Sequence, residues 1–203
     1  MKKIVMVTLV GLFLAGTAST AGAVTLTPGL NAVISGVASL PAYDTVVTSV
    51  SNPYTFSYTG MTGTVSETVY QNSTGLLFTY TIKRAADAVN DAVARLSLTG
   101  FSAFSVNADY VAGTGIDAIM ATRSGNGDTV GFTLAGVTTG TQTDLLWIQT
   151  NAQYYTPTIG LLQDGGQAEV GLVGPTATPE PGTVALFSTG LLGLMGFRRK
   201  RTV

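Results

Sequence analysis

The 203-residue chain contains neither histidine nor cysteine, so the common catalytic triads, thiol chemistry, disulfides, and imidazole or thiolate metal sites are closed to it. Carboxylates remain. Glycoside cleavage uses two of them flanking a bond, and the central region offers Glu67 and Glu169 with no motif around either. Calcium takes oxygen ligands, which Asp128 beside Gly125-Asn126-Gly127 or Asp164 before Gly165-Gly166 would supply. Neither aspartate has the spacing of a calcium loop or repeat, and Asp beside Gly ordinarily bonds its own turn. Sugar rings stack on exposed aromatics, for which Tyr54, Tyr58, Tyr110, Tyr154 and Tyr155 are candidates. Strand packing accounts for each of them more readily, and Trp147, between Leu146 and Ile148, reads as core. No phosphate loop, basic patch or heptad pattern is present. The expectation is a protein that is not an enzyme and holds no cofactor or metal.

The elements that position these residues read as strands. Charged residues make up 10% of the chain, well below the usual quarter, while Thr, Val, Gly and Tyr are plentiful, a mixture suited to pleated, half-buried surfaces. In Leu76 to Lys83, Leu76, Phe78, Tyr80 and Ile82 share one face and Thr79 and Thr81 the other, with Leu77 an apolar exception. Ala168, Val170 and Leu172 alternate likewise with Gln167, Glu169 and Gly171. Tyr54 to Tyr58, Thr64 to Gln71, Ala92 to Leu98, Val106 to Tyr110, Thr129 to Leu134 and Leu145 to Thr150 are shorter candidates. Asn72-Ser73-Thr74-Gly75, Gly113-Thr114-Gly115, Gly125-Asn126-Gly127-Asp128 and Asp164-Gly165-Gly166 punctuate them as turns. Eight short strands predict an all-β antiparallel sandwich. A jelly roll fits equally well, and strand order is not derivable. Val24 to Ser51 is less patterned, and a short helix over Leu30 to Ser39 is compatible with it.

The charges are segregated. Lys2 and Lys3 precede the first apolar run, and Arg198, Arg199, Lys200 and Arg201 follow the last. Between them four basic residues face eleven acidic ones, a balance of 4 − 11 = −7. Basic flanks outside two apolar runs fit cytoplasmic ends and a translocated middle. An acidic middle argues against nucleic acid as a partner.

The start has the three parts of a secretory signal: Lys2-Lys3, the apolar Ile4 to Ala18, and a small-x-small site at Ala21-Gly22-Ala23 that leaves Val24 first after cleavage. At the far end, Gly174 to Pro179 reads as an extended Pro/Thr linker. Pro179-Glu180-Pro181, the apolar run Val184 to Phe197 and Arg198 to Arg201 follow. Fourteen helical residues span about 21 Å, short of the roughly 30 Å of bilayer hydrocarbon. This suits a transient signal better than a permanent anchor.

Pro-Glu-Pro, a short apolar helix and an Arg-rich end together resemble the PEP-CTERM sorting signal, found on exported proteins of Gram-negative bacteria that make exopolysaccharide and biofilm. Thr178 stands where valine is common, and Phe187 and Met195 interrupt a usually plainer Leu/Gly run. The resemblance implies that Pro179, Glu180 and Pro181 form the processing motif, that 184–197 presents it at the membrane, and that the basic cluster sets orientation. It also implies processing by an exosortase, with signal peptidase acting at the other end.

The resulting organisation is a signal peptide (1–23) forming an N-terminal helix, a β-sandwich ectodomain (24–174), and a linker with the motif (175–183). A transmembrane helix (184–197) and a basic cytoplasmic tail (198–203) complete it. The expected function is that of an exported surface or extracellular-matrix protein, briefly membrane-anchored, with exopolysaccharide as a candidate partner. A stably anchored carbohydrate-binding module is the alternative, and a hydrolase using Glu67 or Glu169 a third class.

Overall fold

Apolar side chains alternating along extended segments require two sheets to bury them. In the computed structural model, which describes residues 22–177, that is how they are buried. One six-stranded sheet runs, edge to edge, β1 (Val24–Thr25), β7 (Val106–Val111), β10 (Leu145–Thr150), β5 (Gly75–Arg84), β4 (Thr62–Asn72) and β3 (Thr45–Thr55). The other runs β12 (Gln167–Thr176), β11 (Tyr154–Gln163), β6 (Val93–Leu98), β9 (Val130–Val137), β8 (Ala118–Arg123) and β2 (Asn31–Val33). Neighbouring strands are antiparallel throughout. Both sheets contribute to a single buried cluster that includes Phe56, Phe78, Tyr80, Phe101, Phe132, Ile148 and Leu162. No helix occurs among the described residues. The apolar stretches at the two ends, Ala21, and the segment from Thr178 onward lie outside them.

Seven of the eight expected strands are present, most with shifted ends; Tyr54 to Tyr58 shares only Tyr54 and Thr55 with β3 and then turns, the Gly60 N–H donating to the Phe56 carbonyl at 2.8 Å. The expected helix over Leu30 to Ser39 is absent: it is replaced by β2 and an irregular strap. Gly36 has φ +75°, and the Tyr110 ring lies 2.8 Å from where a Cβ would sit, so the chain cannot continue there as a helix of ordinary residues. The strap is tied at opposite ends of the first sheet. Val37 donates its N–H to the Tyr110 carbonyl at 2.8 Å, and the Ala42 carbonyl accepts from Asn72 Nδ2 at 3.3 Å. Residues 38–41 therefore cross that sheet's outer face.

That second layer explains the Leu77 exception. Leu77, Thr79, Asp109 and Trp147 point away from the shared core, yet each is at most 3% exposed. Trp147 stands between Thr79 and Asp109 in register, so it is core as expected, but beneath the strap rather than between the sheets. Asp109 reaches up to the strap through the Gly36 N–H at 3.1 Å.

The expected linker begins inside the last strand. Gly174 and Pro175 are buried members of β12, which ends at Thr176. β12 is an edge, and its outward groups are met by side chains of the opposite sheet. Asn52 Nδ2 donates to the Gly171 carbonyl at 2.6 Å, and Glu67 Oε2 accepts from the Val173 N–H at 2.8 Å.

Arg123 joins three irregular segments. Its guanidinium donates to the carbonyls of Leu26, Phe101, Phe104 and Gly127 at 2.7–2.9 Å, and burial lowers its pKa. Replacing it by Met leaves four inward carbonyls short of a donor. We expect Arg123→Met to lower stability by about 3 kcal/mol, read from urea unfolding of the full chain. A loss below about 0.5 kcal/mol would show that solvent replaces the guanidinium freely.

Candidate functional site

The side chains proposed for chemistry are not brought together. Glu67 is 1% exposed, between the sheets, whereas Glu169 is exposed on the outer face of β12. The two do not flank a common cleft. Asp164 Oδ1 accepts from the Gly166 N–H of its own turn at 2.8 Å, whereas Asp128 Oδ1 accepts from the Gly100 N–H at 3.3 Å and ties its turn to the loop after β6; each serves backbone. Asp144, not singled out from sequence, does this most fully. It accepts from the N–H groups of Gly113 and Gly115 at 2.7 and 2.6 Å, fixing the expected Gly113-Thr114-Gly115 turn.

Of the tyrosine candidates, Tyr54 and Tyr110 are 2% and 6% exposed and belong to the core, so neither is a surface platform. Burial pushes the Tyr54 hydroxyl up to about 12. Tyr155 is half-buried and packs against the core. Tyr58 and Tyr154 are exposed but lie far apart. Tyr58 sits beside Gly166, past the Gln163 end of β11, and Tyr154 begins that strand, a separation of about 30 Å.

Two clefts remain. One, of about 410 Å³, lies over the ends of β3, β4 and β5 and includes Tyr54, Lys83 and Arg84. Its buried cation is already engaged: Arg84 pairs with Asp87 at 2.8 Å and donates to the carbonyls of Val89 and Asp91. The other, of about 310 Å³, lies on the outer face of the second sheet, around Arg95, Thr122 and Thr133.

The chain leaves the sheets at Thr176, and the segment that follows carries the recognisable signal. Residues 177–200 match the PEP-CTERM protein-sorting motif. Such a motif implies export, sorting toward the cell envelope or surface, and an exosortase as processing enzyme. Its first matched residue, Ala177, directly follows the last strand. Pro179, Glu180, Pro181 and Arg198 to Lys200 fall within the match and Arg201 just beyond it; all lie outside the described residues. At the other end, β1 begins at Val24, the residue expected to come first after signal cleavage. No curated protein and no solved structure matches the chain.

Glu67 has a structural role that depends on pH. Burial pushes its carboxyl up to about 7, against the pull of the Val173 N–H, which favours the carboxylate. A folded pKa above the unfolded value of 4.5 means that the unfolded chain releases this proton first. The stabilisation is complete below pH 4.5 and is lost as pH rises through about 7. The expected loss is about 3 kcal/mol. In Glu67→Gln, which keeps the acceptor for Val173, the slope of stability between pH 5 and 8 should flatten relative to the unmodified chain. Parallel slopes in urea titrations would place the pH dependence elsewhere.

Proposed function

We propose that this chain is an exported, non-enzymatic surface or matrix protein, cut near Pro179-Glu180-Pro181 and released from its C-terminal helix as a discrete β-sandwich. The observation that carries the reading is the junction: the last strand ends at Thr176 and the sorting match starts at Ala177. A processing enzyme acting a few residues further on cuts beyond the end of β12. The closed edge at β12 supports the same reading. A domain released beside many copies of itself is exposed to edge-to-edge pairing, and β12 has its outward Gly171 and Val173 groups already bonded.

In this reading 184–197 holds the precursor in the membrane, Arg198 to Arg201 keep the tail cytoplasmic, and signal peptidase cuts after Ala23. The released domain then joins or contacts extracellular polysaccharide. The second reading, a stably anchored carbohydrate-binding module, draws its support from the Arg95 cleft.

Intact-mass spectrometry of envelope and medium fractions, with and without exosortase, separates the two. We expect a form running from Val24 to near Pro181 only when the exosortase is active, and an uncut precursor when Glu180→Ala is introduced. A form ending at Val203 in both strains would make the C-terminal segment an ordinary anchor and leave only the second reading.

A further inference from the structure

Four cations face ten carboxylates in the described residues, a balance of 4 − 10 = −6. Three of the four are accounted for. Arg84 is paired with Asp87, Arg123 donates to four carbonyls, and Lys83 is exposed to solvent. Arg95 is held in place and has no carboxylate partner among the described residues.

The way it is held is specific. Arg95 extends along the outer face of β6, donating from Nε to Ser97 Oγ at 3.1 Å, from Nη1 to Thr133 Oγ1 at 3.5 Å, and from Nη2 to Thr122 Oγ1 at 2.7 Å. The guanidinium lies on bare backbone at Gly131, where a Cβ would come within contact distance of Nη2. Three strands thus fix a half-buried guanidinium flat against the sheet using neutral hydroxyls. Three of its five N–H groups are engaged, and the cleft beside it is otherwise lined mainly by polar groups such as Asn31, Ser124 and Thr129.

A cation partly removed from water and given only neutral partners calls for an anion, and a preorganised guanidinium favours a planar, two-oxygen one. The surrounding net acidity disfavours polymers as densely charged as duplex nucleic acid, with one charge per about 1.7 Å. The shape points the same way. In register with Arg95, Gln163 and Gln167 continue the row on one side and Thr133 and Met120 on the other. The row crosses five strands, about 19 Å, an open strip of polar side chains from Gln167 to Thr133 that ends at Met120 and suits an extended chain of hydroxyl-bearing rings.

We propose that this strip binds acidic polysaccharide, with Arg95 receiving the carboxylate of a uronic acid residue and the flanking amides and hydroxyls meeting the sugar hydroxyls. The proposal rests on the export reading only for where such a polymer is encountered.

The test is calorimetric titration of the full chain in detergent with polygalacturonate oligomers, with neutral glucan oligomers, and with sodium sulfate as a competitor. We expect the uronate oligomers to bind at least about tenfold more tightly than the neutral ones. Arg95→Gln should lose about tenfold or more, and Arg95→Lys should recover only part, because a point charge cannot replace the fork. Unfolding midpoints of both variants accompany the titrations. Should Arg95→Gln fail to fold, Asn31→Trp closes the cleft from its rim and should lose binding equally.

Absence of uronate binding, equal affinity for neutral oligomers, or wild-type affinity in a folded Arg95→Gln would each overturn the proposal. Equally tight binding of sulfate would reduce the site to a general anion cradle and overturn the saccharide assignment. No exosortase enters this assay, so its failure leaves the sorting reading standing. An uncut precursor in cells, conversely, leaves the strip's assignment untouched.

Discussion

A sheet that does not close on itself leaves a row of unpaired N–H and C=O groups along each border, and two open sheets have four such borders. Much of the irregular structure of this domain answers that constraint. β1 and β2 are two and three residues long, too short to template another chain, and the strap extends the first of these borders through Val37 and Val111. β3 carries Pro53 and a break in register between Val46 and Thr48. β12 carries Pro175, with Asn52 and Glu67 from the opposite sheet bonding its free backbone. These last contacts also tie the two sheets together along one side. Closing the edge and closing the sandwich are one operation.

The same preference governs the charges. Among the described residues the ion pair is Arg84–Asp87, while Asp109, Asp144 and Arg123 direct their charges at backbone amides and carbonyls. A fold with many crossings between sheets has many backbone groups that no ladder satisfies, and a buried one left unmade costs more than a made one contributes. A single Arg or Asp satisfying two to four such groups is an efficient answer in a chain without disulfides. These contacts are short and buried, so salt screens them far less than surface pairs.

What was legible in the sequence follows from what is local. β12 alternates in sequence and in burial over Gln167 to Leu172, whereas β5 alternates in sequence but in burial only from Tyr80 onward, since the strap's layer buries Leu77 and Thr79 as well. β8 was missed because Ala118 and Ala121, both buried, stand three apart across a bulge, which erases the period of two. β11 was missed because Pro157 and Gly160 interrupt it. β6 pairs only with Gly160–Gln163, so Pro157 sits where that flank of the strand is free and its absent N–H is tolerated. Pro175 misled in the opposite direction, reading as linker where it lies inside an edge strand that runs to Thr176. The strap was illegible because its partners, Tyr110 and Asn72, come from distant strands. The sorting signal was legible because it is contiguous. The Arg95 strip was not, since Ser97, Thr122, Gly131 and Thr133 meet only through strand order.

Strand order also decides how the strip and the exit of the chain are related. The chain leaves the second sheet from β12, whereas Arg95 is on β6 and its hydroxyl partners reach to β8. Two to four strand spacings, about 10 to 19 Å, therefore separate the exit strand from the cleft along the same sheet. Whatever follows Thr176 is attached at the border of the sheet and not on the face that carries the guanidinium. Had the last strand been a central one, its continuation would have passed across a face to escape. The exit at Thr176 stands at the opposite end of β12 from Gln167, the strip's residue on that strand, so the described chain leaves along the border and does not cross the face that carries Arg95.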